Sequence, residues 1–293
     1  RSLSNNSVAY TEKPDLTSFL KEFRSIYQSK AGERGIVNKE ALRKKAEECG
    51  REYEGDYLLN PCGEAILRDT GGCCNLTEVI VRPEDTLTSL KKKVRQATIL
   101  GTLQSTLVEF RYLRKVWSDN AKEERLLGVS LTGIMDHPVL SGRELPDDAW
   151  GPKGHYTPHF TLSEVLRELK EVARETNKEY AEILGIPKSL QLTLVKPSGT
   201  VSQLCSTASG IHPRFAPYYL RRVTQDNKDP LTQHMIEQGI PHTISGEKTL
   251  FSFPVASPKG SVTSDSMDAK EQLELWKIYQ TYWCEGNPSQ TIY

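Results

Sequence analysis

Asn60, Pro61, Cys62, Gly63 and Glu64 place a thiol between an amide and a carboxylate, and Cys74-Asn75-Leu76 follows ten residues after Glu64. Side chains two apart on an extended segment point to one side, so Asn60, Cys62 and Glu64 are expected to face one small substrate together. Pro61 fixes its own φ and Gly63 permits an unusual backbone, as a stiff loop tip carrying a reactive group requires. A buried packing cysteine beside a turn is the plainer alternative, and the residues alone leave it open. The second chemical segment is Gln191 to Val195 followed by Lys196-Pro197-Ser198-Gly199-Thr200 and then Val201 to Ser206. A strand that turns through Pro197 and Gly199 into a helix leaves backbone N–H groups pointing outward, and such a terminus binds phosphate by geometry and dipole. Ser198 and Thr200 add hydroxyl donors, although an ordinary capped turn has the same residues. Ser4, Asn5, Asn6 and Ser7 form a further polar cluster, which is also what a plain loop contains.

The elements that must position these residues read as an α/β body. Asp15 through Lys30 carries Leu16, Phe19, Leu20, Phe23 and Ile26 at the spacing of one helix face, behind an acidic cap. Thr86 to Trp117 reads as one long helix with Leu90, Val94, Ala97, Leu100, Leu103, Leu107 and Phe110 as its buried stripe. Ser163 to Leu184 and Met267 to Trp283 are two more helices. Short apolar runs at Glu78 to Val81, Gly128 to Leu131 and Gln191 to Val195 read as strands of a largely covered sheet. The alternation predicts parallel α/β pairing. Asp136 to Pro158, rich in proline and glycine, reads as a surface loop.

Composition removes several classes of function. The chain has 293 residues, 37% hydrophobic and 26% charged, with 38 Lys plus Arg against 38 Asp plus Glu. A balanced charge gives no support to nucleic-acid or membrane-surface binding, and Lys91-Lys92-Lys93 reads as a solvated helix face. No apolar run approaches the roughly 18 residues of a membrane span, and no signal-like start is present, so a cytoplasmic enzyme is expected. The six cysteines, at 49, 62, 73, 74, 205 and 284, form no C-x-x-C pair. They read as reduced thiols, with neither a zinc site nor a disulfide framework. His155 and His159 are separated by Pro158, which argues against a helical metal pair, and no metal is expected.

Taken together, the motifs resemble a known family. Asn60 to Glu64 with Cys74-Asn75-Leu76 is similar to the finger loop of ribonucleotide reductases, in the form of the adenosylcobalamin-dependent (class II) enzymes. Ser4 to Ala9, Gly35-Ile36-Val37-Asn38, Gly128 to Gly133, Lys196 to Val201, Gly210 to Arg214 and Tyr218 to Arg222 agree in collinear order. The resemblance implies the C-terminal half of a ten-stranded α/β barrel, with residues 1–293 as a partial catalytic domain cut at both ends. It also implies reduction of ribonucleoside triphosphates to 2′-deoxyribonucleoside triphosphates with adenosylcobalamin as cofactor. By that resemblance Cys62 becomes a thiyl radical, Glu64 is the base on the 3′ hydroxyl, Asn60 orients the sugar, and Cys74 is one member of a redox pair. Ser4, Asn5, Asn6, Ser7, Pro197, Ser198, Gly199 and Thr200 then lie against substrate.

Alternatives within and outside the family stay open. Cys73 competes with Cys74 as the redox thiol, while a disulfide between these neighbours would be strained. Cys49, Cys205 and Cys284 read as buried packing residues. Arg221 and Arg222 suit either a phosphate or a helix cap. The implied partners are a ribonucleotide, a thioredoxin-like or dithiol reductant, and an allosteric deoxynucleotide bound outside this segment. A ribonucleoside-diphosphate reductase is one alternative, and a nucleotide-binding split subunit inactive without its complement is another. A class I large subunit usually differs beside the cysteine, and the glycine loop of a glycyl-radical enzyme would lie beyond Tyr293.

Overall fold

A computed structural model describes residues 6–30, 34–143 and 161–289 of the chain. Strand β1 (Asn6–Tyr10) pairs in parallel with β2 (Arg34–Asn38) across helix α1 (Leu16–Ser29). Asp15 caps α1 by accepting from Ser18 N, and Asn38 caps α2 (Lys39–Glu48) by accepting from Ala41 N. An antiparallel hairpin follows, β3 (Tyr57–Leu59) with β4 (Ile66–Arg68), and residues 60–65 form its tip.

The centre of the fold is a parallel sheet in the order β5 (Asn75–Ile80), β6 (Leu127–Thr132) and β7 (Thr193–Leu194). Helices α3 (Leu87–Gln104), α4 (Lys115–Glu124) and α5 (Leu162–Leu184) lie between these strands in sequence. Every residue of β6 is buried, as expected for a strand covered on both faces. Leu90, Val94, Leu131, Leu166, Leu169 and Trp283 belong to one core beneath α3, α5 and α8 (Ala269–Tyr282). The short α6 (Val201–Leu204) follows β7. An antiparallel sheet ordered β8 (Tyr218–Asp226), β10 (Lys248–Ala256) and β9 (His242–Ser245) carries α7 (Pro230–Glu237) between β8 and β9.

Several expectations change. The helix expected from Thr86 to Trp117 is two helices, broken between Ser105 and Arg114. The buried face of α3 runs through Thr98, Gly101 and Thr102, whereas Leu100, Leu103 and Leu107 are exposed. The Thr98 and Thr102 hydroxyls donate to the carbonyls of Val94 and Thr98, so polar-looking residues fit inside while the leucines rotate outward. No residue of α1 is buried, and Leu16, Leu20 and Phe23 are exposed. The lysines of 91–93 are not simply solvated. Lys91 pairs with Glu168 and Lys93 with Asp85, each at 2.5 Å.

The expected loop from Asp136 to Pro158 begins with buried chain. Ile134–Asp136 form a 3-10 turn, and the Asp136 carboxylate accepts from Arg214, Ser261 and Ala208 N. Residues 144–160, with His155 and His159, lie outside the described part. Arg221 and Arg222 sit mid-strand in β8, opposite Phe253 and Ser252, so neither caps a helix. Cys284 is buried as expected, whereas Cys49 and Cys205 are only half-buried. Among the described residues no helix is long and apolar enough to cross a membrane.

Candidate active site

The hairpin tip is closed by its own backbone. Gly63 N donates to Asn60 O at 2.9 Å and Asn60 N donates to Ala65 O at 3.2 Å. Pro61 and Cys62 are therefore the two central residues of a β-turn, with Gly63 at φ +82° after them. The tip is a turn and not the extended segment expected. Cys62 is exposed at the apex, while Glu64 folds beneath it at 0% exposure. The Asn60 Oδ1 accepts from Ala65 N at 2.9 Å, which leaves the Nδ2 amide to face a ligand.

The Glu64 carboxylate is buried without a hydrogen bond at either oxygen among the described residues. Its counter-charge is the Lys196 ammonium, 3.6 Å from Oε1. A buried carboxylate ordinarily needs donors as well as a counter-ion, so this one has accepting capacity held open for something that binds there. Lys196 stands in the motif that follows β7, yet the motif alone assigns it no role. The signal was present in its place at the end of β7, the strand end at which open α/β sheets place ligands.

Cys74 stands just before β5, close to the β6 and β7 ends. A Cβ added at Gly128 would lie 3.1 Å from its Sγ, and the Gln191 Nε2 amide points at that sulfur from 4.0 Å. Burial first, and then the negative charge of Glu64, pushes the Cys74 thiol up to about 12. It is therefore a protonated thiol at neutral pH, able to give hydrogen rather than attack as a thiolate. Cys73 is half-buried with its pKa raised by burial alone.

The loop after β7 differs from the expected phosphate cradle. Ser198, at φ +46°, is buried, and its hydroxyl donates to Glu78 Oε2 at 2.5 Å while accepting from Ser202 N at 3.1 Å. That hydroxyl is engaged within the protein, and α6 is only four residues long. Gly199 and Thr200 are exposed, and a Cβ at Gly199 would meet nothing within 4 Å. The expected Ser4 and Asn5 lie outside the described residues. Asn6 contributes backbone to β1, and Ser7 is exposed beside it.

Two positioning systems escaped the sequence reading. Glu124, at the end of α4, receives Arg51 Nε at 2.8 Å and lies 3.2 Å from Arg68 Nε. Arg51 also donates to Ile66 O, and Arg68 makes a two-pronged pair with Glu123, so the hairpin base is bolted to α4. At the other side, residues 285–289 run between β7 and the hairpin tip. Glu285 N and Gly286 N donate to Thr193 O, and Asn287 N donates to Glu64 O. Neither system has a local motif, because its partners lie far apart in sequence.

The fold around this thiol-bearing tip is similar to that of solved ribonucleotide reductases. A crystal structure of a B12-dependent (class II) ribonucleotide reductase superposes with a TM-score of 0.73 at 23% identity, covering 99% of this chain and 42% of that one. The alpha subunit of the Actinobacillus ureae class Id ribonucleotide reductase superposes with a TM-score of 0.56 at 14% identity, covering 96% of this chain and 57% of that one. These two likenesses concern the fold. In sequence the chain is 30% identical over 312 residues to the adenosylcobalamin-dependent ribonucleoside-triphosphate reductase of Lacticaseibacillus paracasei, covering 99% of this chain and 40% of that protein. It is 31% identical over 242 residues to a probable adenosylcobalamin-dependent ribonucleoside-triphosphate reductase of Dictyostelium discoideum, covering 80% of this chain and 28% of that protein. The chain thus spans about 40% of the length of the first of these relatives. No family model matches. The resemblance read from the motifs holds almost end to end, and the mixed α/β fold agrees with part of a larger barrel.

Proposed function

We propose that this chain is the part of an adenosylcobalamin-dependent ribonucleoside-triphosphate reductase that carries the radical thiol. The observation that supports it most is the pairing of an exposed Cys62 with a buried Glu64 carboxylate that accepts no hydrogen bond among the described residues. The exposed apex also fits the approach of a large cofactor, since a Cβ at Gly63 would have nothing within 4 Å. When bound, the cofactor supplies by homolysis the radical that no side chain generates unaided. Among the described residues the Cys62 tip is the place it has to reach.

The chain's own groups carry the remaining chemistry. Cys62 Sγ, having lost its hydrogen atom, takes the hydrogen from C3′ of the ribose, and Glu64 takes the proton of the 3′ hydroxyl. The Asn60 Nδ2 amide orients the sugar hydroxyls. The 2′ hydroxyl leaves as water, taking up the proton that Glu64 received, so the carboxylate is regenerated. Two thiols supply two electrons and two protons to the sugar and close to a disulfide, and Cys62 returns its hydrogen to C3′. Cys74 is one of the two thiols, and the other belongs to the remainder of the complete protein. Lys196 offsets the Glu64 charge before substrate arrives.

The phosphates of a triphosphate lie at Pro197, Ser198, Gly199 and Thr200. There the backbone N–H groups of Gly199 and Thr200 and the Thr200 hydroxyl face them, because the Ser198 hydroxyl is committed to Glu78. Ser4 to Ser7 border the substrate. A dithiol reductant of the thioredoxin kind reopens the disulfide, and the allosteric deoxynucleotide binds outside residues 1–293. We place the enzyme in the cytoplasm, where it supplies DNA precursors.

The test uses the complete protein that contains this segment. Cys62→Ser should abolish cobalamin-dependent reduction of a ribonucleoside triphosphate, because a hydroxyl O–H bond is too strong for the hydrogen transfer. Cys74→Ser should permit exchange of the 3′ hydrogen while stopping turnover, and Cys73→Ser should be mild. Sustained turnover by Cys62→Ser would sink the assignment, and a requirement for Cys73 instead of Cys74 would move the redox role by one residue.

A further inference from the structure

The three carbonyls that follow one another through the thiol tip are all held by a single distant segment. Ser289 Oγ donates to Cys62 O at 2.5 Å, Asn287 Nδ2 donates to Gly63 O at 3.1 Å, and Asn287 N donates to Glu64 O at 2.8 Å. These bonds differ from the ones that close the turn. The contacts from Asn60 to Gly63 and Ala65 fix the shape of the tip, but they are internal to it and cannot fix where it stands against the sheet.

The segment doing the holding is itself fastened from two sides. Val195 N donates to Asn287 O and Ser289 N donates to Val195 O, which ties it to the chain just after β7. From α8, Gln280 Nε2 donates to Asn287 Oδ1 at 3.1 Å and Trp276 Nε1 donates to Pro288 O at 2.7 Å. The Asn287 side chain is thus a relay, receiving from α8 and giving to the tip. Its orientation is set because an amide has distinct donor and acceptor ends, and both are used.

We propose that Asn287 and Ser289 are positioning residues for the Cys62 thiol, holding the sulfur at the distance from the substrate that hydrogen transfer requires. A misplacement of about 1 Å costs such steps on the order of a hundredfold. Neither side chain touches the reacting atoms, so each acts through the backbone of residues 62–64. The inference rests on the reading of Cys62 as the radical thiol, and its structural half can be measured without that reading.

The experiment is hydrogen–deuterium exchange on Asn287→Ala, Ser289→Ala and Ser289→Thr, joined to steady-state reduction by the complete enzyme carrying the same changes. Asn287→Ala should speed exchange at the amides of 60–65 by about tenfold or more, with β6 unchanged. It should also lower kcat by about ten- to a hundredfold with KM within twofold. Ser289→Ala should do the same to a smaller degree, and Ser289→Thr, which keeps the hydroxyl, should restore both values. Unchanged exchange at 60–65 in Asn287→Ala overturns the proposal, as does faster exchange with full kcat. Should Asn287→Ala loosen β6 as well, the Ser289→Ala and Ser289→Thr pair decides, and equal behaviour of those two overturns the proposal. Failure of the proposed function is recognised separately, by turnover in Cys62→Ser, whatever the exchange result.

Discussion

Replacing Glu124 by Gln should cost this protein a large share of its stability, although the change adds and removes no volume worth counting. Glu124 and Arg51 have side chains 1% and 0% exposed with 2.8 Å between them, and Arg68 Nε stands 3.2 Å from the same carboxylate oxygen. At an effective dielectric of about 20, charges 2.8 Å apart attract by roughly 6 kcal/mol. Burial of both charges offsets part of that, and removing one member of such a pair typically costs about 3–5 kcal/mol because the other is left uncompensated. Arg68 keeps Glu123 as a partner, but Arg51 keeps neutral acceptors such as Ile66 O and no other ion pair among the described residues. The loss is to be measured by urea unfolding followed by circular dichroism, with slope as well as midpoint compared. A double variant, Arg51→Met with Glu124→Leu, should recover most of the loss, since it removes both charges and refills the space. A Glu124→Gln loss below about 1 kcal/mol, or a double variant no better than the single, would falsify the view that charge compensation holds the hairpin on α4.

Two further predictions rest on other parts of the molecule. Burial raises the thiol pKa of Cys49 to about 11 and of Cys284 to about 12, well above that of an exposed thiol, so the folded chain keeps protons that the unfolded chain has lost. The associated stabilisation is complete below about pH 9 and disappears as pH rises from about 9 toward 12. Between pH 9 and 11 the fully buried Cys284 should forfeit about 2 kcal/mol, so Cys284→Ala should show a flatter Tm against pH than the parent, and parallel curves refute this. At Gly286, a Cβ would stand 2.3 Å from Glu64 O, which is backbone and cannot turn away. Gly286→Ala should therefore cost about 1–3 kcal/mol and displace the tip. Changed thermal stability together with a changed alkylation rate at Cys62 is expected, and an unaltered rate at Cys62 counts against the displacement.

Much of this protein was legible in its residues, and the legible parts share a cause. Helices α1, α5 and α8 and strands β5, β6 and β7 were visible because each declares itself within one short window, by 3.6-residue periodicity or an unbroken apolar run. The thiol tip was visible for the same reason, since Pro61, Cys62, Gly63 and the flanking Asn60 and Glu64 are adjacent. The error in α3 shows the converse. Which face of a helix is buried depends on what packs against it, and Thr98 and Thr102 went inside because the helix's own carbonyls accept from their hydroxyls.

What the sequence by itself determined, then, was the set of chemical groups, their order along the chain and the local backbone each permits. Only the tertiary structure decided that Cys62 stands exposed while Glu64 lies beneath it, because that follows from the turn at Gly63 and not from side-chain alternation. Only it brought Lys196 to Glu64, Gln191 to Cys74 and Asn287 to the tip carbonyls, and it turned the Ser198 hydroxyl from a ligand donor into a partner for Glu78. These partners lie more than a hundred residues apart in sequence. No local pattern encodes such a meeting. It follows from where the parallel strands end and where the hairpin is bolted against them.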